Sequence, residues 1–274
     1  MLIQRVLTAL VLLPLLLAAI FLLPTPKLYA LFCLVGLAAA WEWTALMGLN
    51  ALGQRLAYLL AIALTLAAAW QLNALSWGVP ALCGLALVWW LYAFRLVRGF
   101  PANFPNGPWP PARMAPLGLL LIPSTLLALA ALHAQDQGAW RLMFMLFIVF
   151  AADIGAFLVG RNYGKRKLAP AVSPGKSIEG AVGGLVLVAL WALAAGPYVF
   201  RFEQPTQLGL LALIAVLTAA ISIVGDLFES LLKRLRGVKD SGKLLPGHGG
   251  VLDRIDSILA AAPVFYLGLR LSGL

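Results

Sequence analysis

Leu208-Gly209-Leu210-Leu211-Ala212-Leu213-Ile214-Ala215-Val216-Leu217-Thr218-Ala219-Ala220-Ile221-Ser222-Ile223-Val224-Gly225 contains no charged residue, and Asp226 follows it at once. A helix rises about 1.5 Å per residue, so a run of this length crosses the roughly 30 Å hydrocarbon layer of a bilayer. Comparable runs recur along the chain. Nine spans are predicted, at residues 6–23, 28–47, 56–72, 76–97, 117–132, 142–160, 181–199, 208–227 and 255–272. The expected fold class is an all-α polytopic integral membrane protein. The first run ends in Leu22-Leu23-Pro24-Thr25-Pro26 without a small-x-small cleavage pattern, so it is read as an uncleaved span.

Composition agrees. Of the 274 residues, 62% are hydrophobic and 11% charged, against about 45–50% and 25% in soluble domains. An ordinary soluble enzyme is excluded. The formal charge is +10, which in a soluble protein would suggest a nucleic-acid partner. Here the basic residues sit mostly between apolar runs, so no nucleic acid is expected and topology is the first explanation. With a cytoplasmic N-terminus, sixteen of the 20 Lys and Arg face inward, leaving only Lys27, Arg141, Arg201 and Arg270 outside. Binding of phosphorylated, anionic ligands is the second explanation. Cys33 and Cys83 lie inside apolar runs, away from any Cys/His cluster, which argues against a disulfide or a zinc site.

The acids divide the chain. Only Glu42 and Asp136 precede residue 150, and the other eight follow it. Residues 1–140 therefore read as a transmembrane scaffold. Residues 141–274 read as a catalytic region with polar loops at 160–180 and 225–257. The proline-rich stretch 98–116 is expected to be a non-helical connector or surface lid. Glu42 lies inside a span between Trp41 and Trp43, where a carboxylate serves either a structural bond or a site.

Asp226 and Glu229 share a helix face at i, i+3, with Lys233 one turn on, and Asp253 and Asp256 repeat that spacing. Two helix ends bearing carboxylate pairs can hold Mg²⁺, which keeps waters and shares its shell with phosphates. Equally, the acids could form an ion-pair network with Arg234 and Arg254. Between the pairs, Gly-rich backbone beside Lys239, Lys243, Gly249 and Gly250 can approach phosphate oxygens. His248, taken alone, suits a base, a phosphate donor or a structural hydrogen bond. Gly175-Lys176-Ser177 resembles the end of a P-loop, but Pro170 stands where the first glycine should be and no strand precedes it. Asp153 interrupts an apolar run and is expected to face the protein interior or a polar cavity.

These residues fall in a longer pattern. Ser230-Leu231-Leu232-Lys233-Arg234, Lys239-Asp240-Ser241-Gly242 and Leu245-Pro246-Gly247-His248-Gly249-Gly250-Val251-Leu252-Asp253-Arg254-Ile255-Asp256 closely resemble the signature of the phosphatidate cytidylyltransferases. Asp153-Ile154-Gly155-Ala156-Phe157, Ser173-Pro174-Gly175-Lys176-Ser177 with Glu179-Gly180, and Gly225-Asp226-Leu227-Phe228-Glu229-Ser230 resemble further blocks of that family. The resemblance covers about residues 140–260. Ile178 stands where an aromatic residue is commoner.

The resemblance implies CMP transfer from CTP to phosphatidic acid, giving CDP-diacylglycerol and pyrophosphate at the cytoplasmic face of an inner membrane. It implies Asp226 and Asp253 as metal ligands, with Glu229, Asp240 and Asp256 orienting them or holding a second cation. Lys239, Lys243, Arg254, His248, Gly249 and Gly250 would cradle the triphosphate or pyrophosphate, beside Lys233 and Arg234. Ser173, Lys176, Ser177 and Glu179 would contact CTP or the lipid phosphate, supported by Asp153. A homodimer is compatible with such an enzyme, though no residue here demands one. Two other classes fit less well. A CDP-alcohol phosphotransferase would need an Asp-Gly dipeptide, which the chain lacks. An ion-coupled transporter using Asp153 and Glu42 would usually show repeated halves with broken helices in both, whereas the charges here crowd into one half.

Overall fold

The computed structural model describes residues 2–245, 247 and 249–274, with the side chains of residues 2–9 outside the description. Among the described residues there are nine α-helices, in the predicted order: α1 (Leu2–Leu22), α2 (Thr25–Met47), α3 (Leu52–Gln71), α4 (Gly78–Arg98), α5 (Pro111–His133), α6 (Gly138–Tyr163), α7 (Ile178–Val199), α8 (Pro205–Leu235) and α9 (Leu252–Ser272). The eight from α2 onward are long and apolar enough to cross a membrane, and the described part of α1 is an apolar Leu10–Leu22. The chain is an all-α polytopic membrane protein.

Two boundaries moved by more than four residues. α8 continues to Leu235 instead of stopping near 227, because Phe228, Leu231 and Leu232 are buried and carry the helix past its charged turn. α5 begins at Pro111, with Pro111 at its first position, where a missing N–H costs nothing. It also absorbs Pro116 and Pro123, as packed membrane helices can. The connector 99–110 is non-helical as expected. It folds back on α4, burying Phe104 and setting Trp109 edge-on to Trp89 at 6.2 Å.

α9 packs against α8, α5 and α4, and α2 against α5 and α3. Phe144, Phe265, Trp90, Phe228 and Leu127 fill the centre. Leu60, Leu64, Val88, Leu190 and Leu213 point outward, as lipid-facing positions should. α6 and α7 approach through glycines: a Cβ on Gly155 would lie 2.7 Å from the Gly183 carbonyl. Such close backbone contact is a common way for membrane helices to pack without a hydrophobic driving force.

The connections after α2, α4, α6 and α8 lie at one end of the bundle. The α6–α7 connection holds a feature the sequence reading missed, an antiparallel hairpin of β1 (Lys167–Ala169) and β2 (Ser173–Ser177). The α8–α9 connection is tied back to α2, where Arg236 donates to the Leu46 carbonyl at 2.6 Å and to that of Met47.

Candidate active site

Four elements converge at this end: the C-terminal half of α6, the hairpin, the last turns of α8 and the first turn of α9. Their approach is set locally. At Gly225 of α8 a Cβ would meet the Asp256 carbonyl at 2.7 Å, so the absent side chain lets α9 close in and brings Asp226 toward Asp256. Ser177 caps α7, accepting the Gly180 N–H at 3.1 Å, and so fixes the end of β2 that carries Lys176.

Asp226 receives an ion pair from Lys176 and a 3.3 Å hydrogen bond from the Ser230 hydroxyl. Lys233 bridges Glu229 and Asp253, its Nζ lying 2.6 Å from Asp253 Oδ1. Asp253 also accepts the backbone N–H groups of Ser241 at 3.0 Å and Gly250 at 2.8 Å. Asp256 accepts the Ser257 N–H at 2.6 Å. Five carboxylates are near enough to repel one another: Asp153 and Asp226, Asp226 and Asp256, Asp256 and Glu229, and Glu229 and Asp253. Lys176 and Lys233 are the lysines drawn into this group.

The sequence-predicted residues separate into three sets. Asp153, Lys176, Asp226, Glu229, Lys233, Asp253 and Asp256 come together. Lys239, Asp240 and Lys243 are exposed on the α8–α9 connection. Gly249 there adopts a left-handed φ of 82° and pairs with Leu245. Arg254 is exposed on the first turn of α9. A third set is turned to structural tasks. Glu179 accepts the N–H groups of Lys165 and Arg166 at 3.1 Å and pairs with the Arg166 guanidinium at 3.0 Å, securing the turn after α6. Arg234 donates to the Val172 carbonyl at 3.2 Å, while Asp226, Glu229 and Asp253 have their ion pairs with Lys176 and Lys233. Ser173 begins β2, and the Gly250 N–H is committed to Asp253. His248 lies outside the described residues.

Asp153 and Lys176 also line a cavity of about 390 Å³ with Ala156, Phe157, Leu168 and Ile223. Phe157 and Ile154 beside it are exposed on the outer face of α6. The cavity joins a charged end to an apolar wall, as an anionic lipid requires.

Glu42, undecided from sequence, proves to be buried at 2% exposure against the α8–α9 connection. It accepts the Ser241 hydroxyl at 3.1 Å, the Val251 N–H at 3.1 Å and the Leu252 N–H at 2.8 Å. The intramembrane carboxylate was visible in sequence, but its partners stand about 200 positions later.

The donor set suits a hard divalent cation. Carboxylates outnumber the ammonium groups among them, and neither oxygen of buried Glu229 meets a hydrogen-bond donor, its ion pair with Lys233 aside. Glu229 is buried, Asp226, Asp253 and Asp256 are half-buried and Asp153 is exposed, and such an excess of negative charge is what Mg²⁺ offsets. Among the described residues no three acidic, His or Cys side chains converge on one metal position, and the two lysines hold the carboxylates instead.

The sequence profile described as the cytidylyltransferase family matches residues 3–272. A phosphatidate cytidylyltransferase of Pseudomonas aeruginosa is 45% identical over 269 residues, 97% of this chain and 96% of that protein. One from Haemophilus influenzae is 40% identical over 97% of both chains. One from Bacillus subtilis is 41% identical over 141 residues, 51% of each chain. A profile match across nearly the whole bundle, joined to relatives of this closeness, places the chain in the cytidylyltransferase family, as a membrane-embedded nucleotidyltransferase.

Proposed function

We infer that this chain transfers CMP from CTP to phosphatidic acid, releasing pyrophosphate and forming CDP-diacylglycerol. The observation that carries this is the 45% identity to the Pseudomonas enzyme over 97% of the chain. The chemistry matches the cluster. An oxygen of the lipid phosphate attacks the α-phosphorus of CTP, forming a new P–O bond, while the bond from that phosphorus to the β-phosphate oxygen breaks. The nucleophile is already an anion, so no strong base is needed. The difficulty is that two anions must meet and charge must leave on pyrophosphate.

Lys176 and Lys233 answer that electrostatic problem. Lys176 meets the lipid phosphate, with Ser173 and Ser177 on the strand that carries it and Asp153 supporting the region, since the 390 Å³ cavity joins Lys176 to the apolar wall of Phe157 and Ile223. Lys239 and Lys243 on the exposed connection, Gly249 beside them and Arg254 on the first turn of α9 serve the triphosphate, with His248 assigned to it by its place in the motif. Asp226, Glu229, Asp253 and Asp256 would hold Mg²⁺, which when bound neutralises phosphate oxygens as a Lewis acid. Residues 141–274 then carry the chemistry, and residues 1–140 support it. The sixteen-to-four bias of Lys and Arg supports an inner-membrane protein whose cluster faces the cytoplasm.

Radiolabelled CTP incubated with phosphatidic acid and the purified protein in detergent should yield chloroform-extractable cytidine label, stopped by a chelator and restored by Mg²⁺. Substrate uptake into proteoliposomes without labelled lipid would instead mark a transporter.

A further inference from the structure

Glu42 belongs to α2, far in sequence from the cluster, and its hydrogen bonds go to Ser241, Val251 and Leu252. Yet every group it binds controls Asp253. The Ser241 whose hydroxyl it accepts gives its N–H to Asp253, and Val251 and Leu252 begin the helix that carries Asp253. We propose that Glu42 is a positioning residue of the reaction, holding the two ends of the 241–252 connection so that Asp253 is preset toward Lys233.

The contact is closely built on both sides. Gly242 and Gly250 turn their bare faces to the carboxylate, where a Cβ would fall 2.2 Å from Oε1 and 2.3 Å from Oε2. Both oxygens are occupied by backbone donors, Oε1 by Val251 and Oε2 by Leu252. Glutamine has the same shape but must turn its NH₂ toward one of these N–H groups, so two donors face each other. A buried anion at the first amides of a helix is also favoured by their partial positive charge. The carboxylate is therefore required for its charge and for its two acceptors, and no neutral isostere reproduces both.

This inference rests on the cytidylyl-transfer reading, and one set of measurements separates the two. Glu42→Gln should purify as a folded protein, with KM for phosphatidic acid near wild type and kcat reduced about 10- to 100-fold, as expected when charge-assisted hydrogen bonds are lost. Amide hydrogen exchange across 241–253 should accelerate in the same variant. A merely structural residue would lower the unfolding temperature and leave kcat per folded molecule intact. Unchanged kcat with unchanged exchange overturns the proposal. Should Glu42→Gln not fold, Ser241→Ala removes one of the three bonds and keeps the N–H to Asp253. A several-fold fall in kcat with faster local exchange is then expected, and wild-type behaviour in both overturns it. If the wild-type protein forms no CDP-diacylglycerol, the functional reading fails while the exchange comparison still judges Glu42.

Discussion

Lys233 Nζ lies 2.6 Å from Asp253 Oδ1, joining the last turn of α8 to the first of α9 across a twenty-residue gap in sequence. With Glu229 on its other side, this one ammonium sits between two carboxylates. Its position makes the α8–α9 junction both an electrostatic centre and a structural joint.

Asp253→Asn should therefore separate chemistry from folding. The amide keeps the shape but must turn NH₂ toward Lys233 or toward the Ser241 and Gly250 N–H groups. Turnover should fall more than tenfold, since losing a charge aimed at phosphoryl transfer costs several kcal/mol of transition-state stabilisation. Size-exclusion behaviour should stay normal. Activity above about a tenth of wild type would remove Asp253 from the reacting centre.

Lys233→Met tests the joint. It leaves Glu229 buried without its counter-ion, a change that costs about 3–5 kcal/mol where one partner of a buried pair is deleted. Thermal unfolding in detergent should shift down clearly. Adding Glu229→Gln should recover much of the loss, because the stranded charge is then gone. No recovery in the double variant would mean that Lys233 stabilises through Asp253 alone.

The glycines of two family blocks give a contrast. Gly250→Ala drives a Cβ to 2.3 Å from Glu42 Oε2, whereas a Cβ on Gly175 meets nothing within 4 Å. Gly250→Ala should abolish activity or folding, and Gly175→Ala should stay within roughly 0.5 kcal/mol of wild-type stability, as open surface substitutions do. Equal loss in both would show that Gly175 is needed for something other than space.

Orientation can be read by labelling single cysteines in a Cys33→Ala, Cys83→Ala background with an impermeant thiol reagent. The exposed positions Lys165 and Leu244 suit this better than Gly164 or Gly242, where a side chain would collide with backbone or with Glu42. Lys165→Cys and Leu244→Cys should react from the cytoplasmic side and Glu203→Cys from the other. Reaction of all three from one side contradicts the alternating crossing of nine helices.

The membrane helices were legible because burial in lipid needs one simple signal, an unbroken apolar run. The signal faded where packing replaced lipid. The final turns of α8 are charged on one side and buried on the other, so hydropathy alone stopped near 227 while Leu231 and Leu232 carried the helix to Leu235. The hairpin was illegible because β1 spans three residues and β2 five, too short for a period-two pattern. Within the cluster, i, i+3 spacing announced the carboxylate pairs, and no local pattern could tell that Lys176 reaches Asp226 across fifty positions. Glu179 shows the opposite limit: it sits in a family block, yet its carboxylate is engaged by the turn at Lys165 and Arg166.

The long reach of Glu42 bears on how the molecule is made. Its partners lie 199, 209 and 210 positions downstream, so α2 enters the bilayer well before anything exists to receive its carboxylate. At about 5–20 residues per second of synthesis, the wait lasts on the order of ten seconds or more. During that time the acid lacks all three donors whose hydrogen bonds it accepts in the finished bundle. Arrival of α9 brings the Val251 and Leu252 N–H groups to it, and the same contacts tie down the connection that holds Asp253. Nascent chains lacking the final helix are thus left with an acid in α2 without these N–H donors and an unformed cluster, so competence to react appears only once the ribosome has delivered α9.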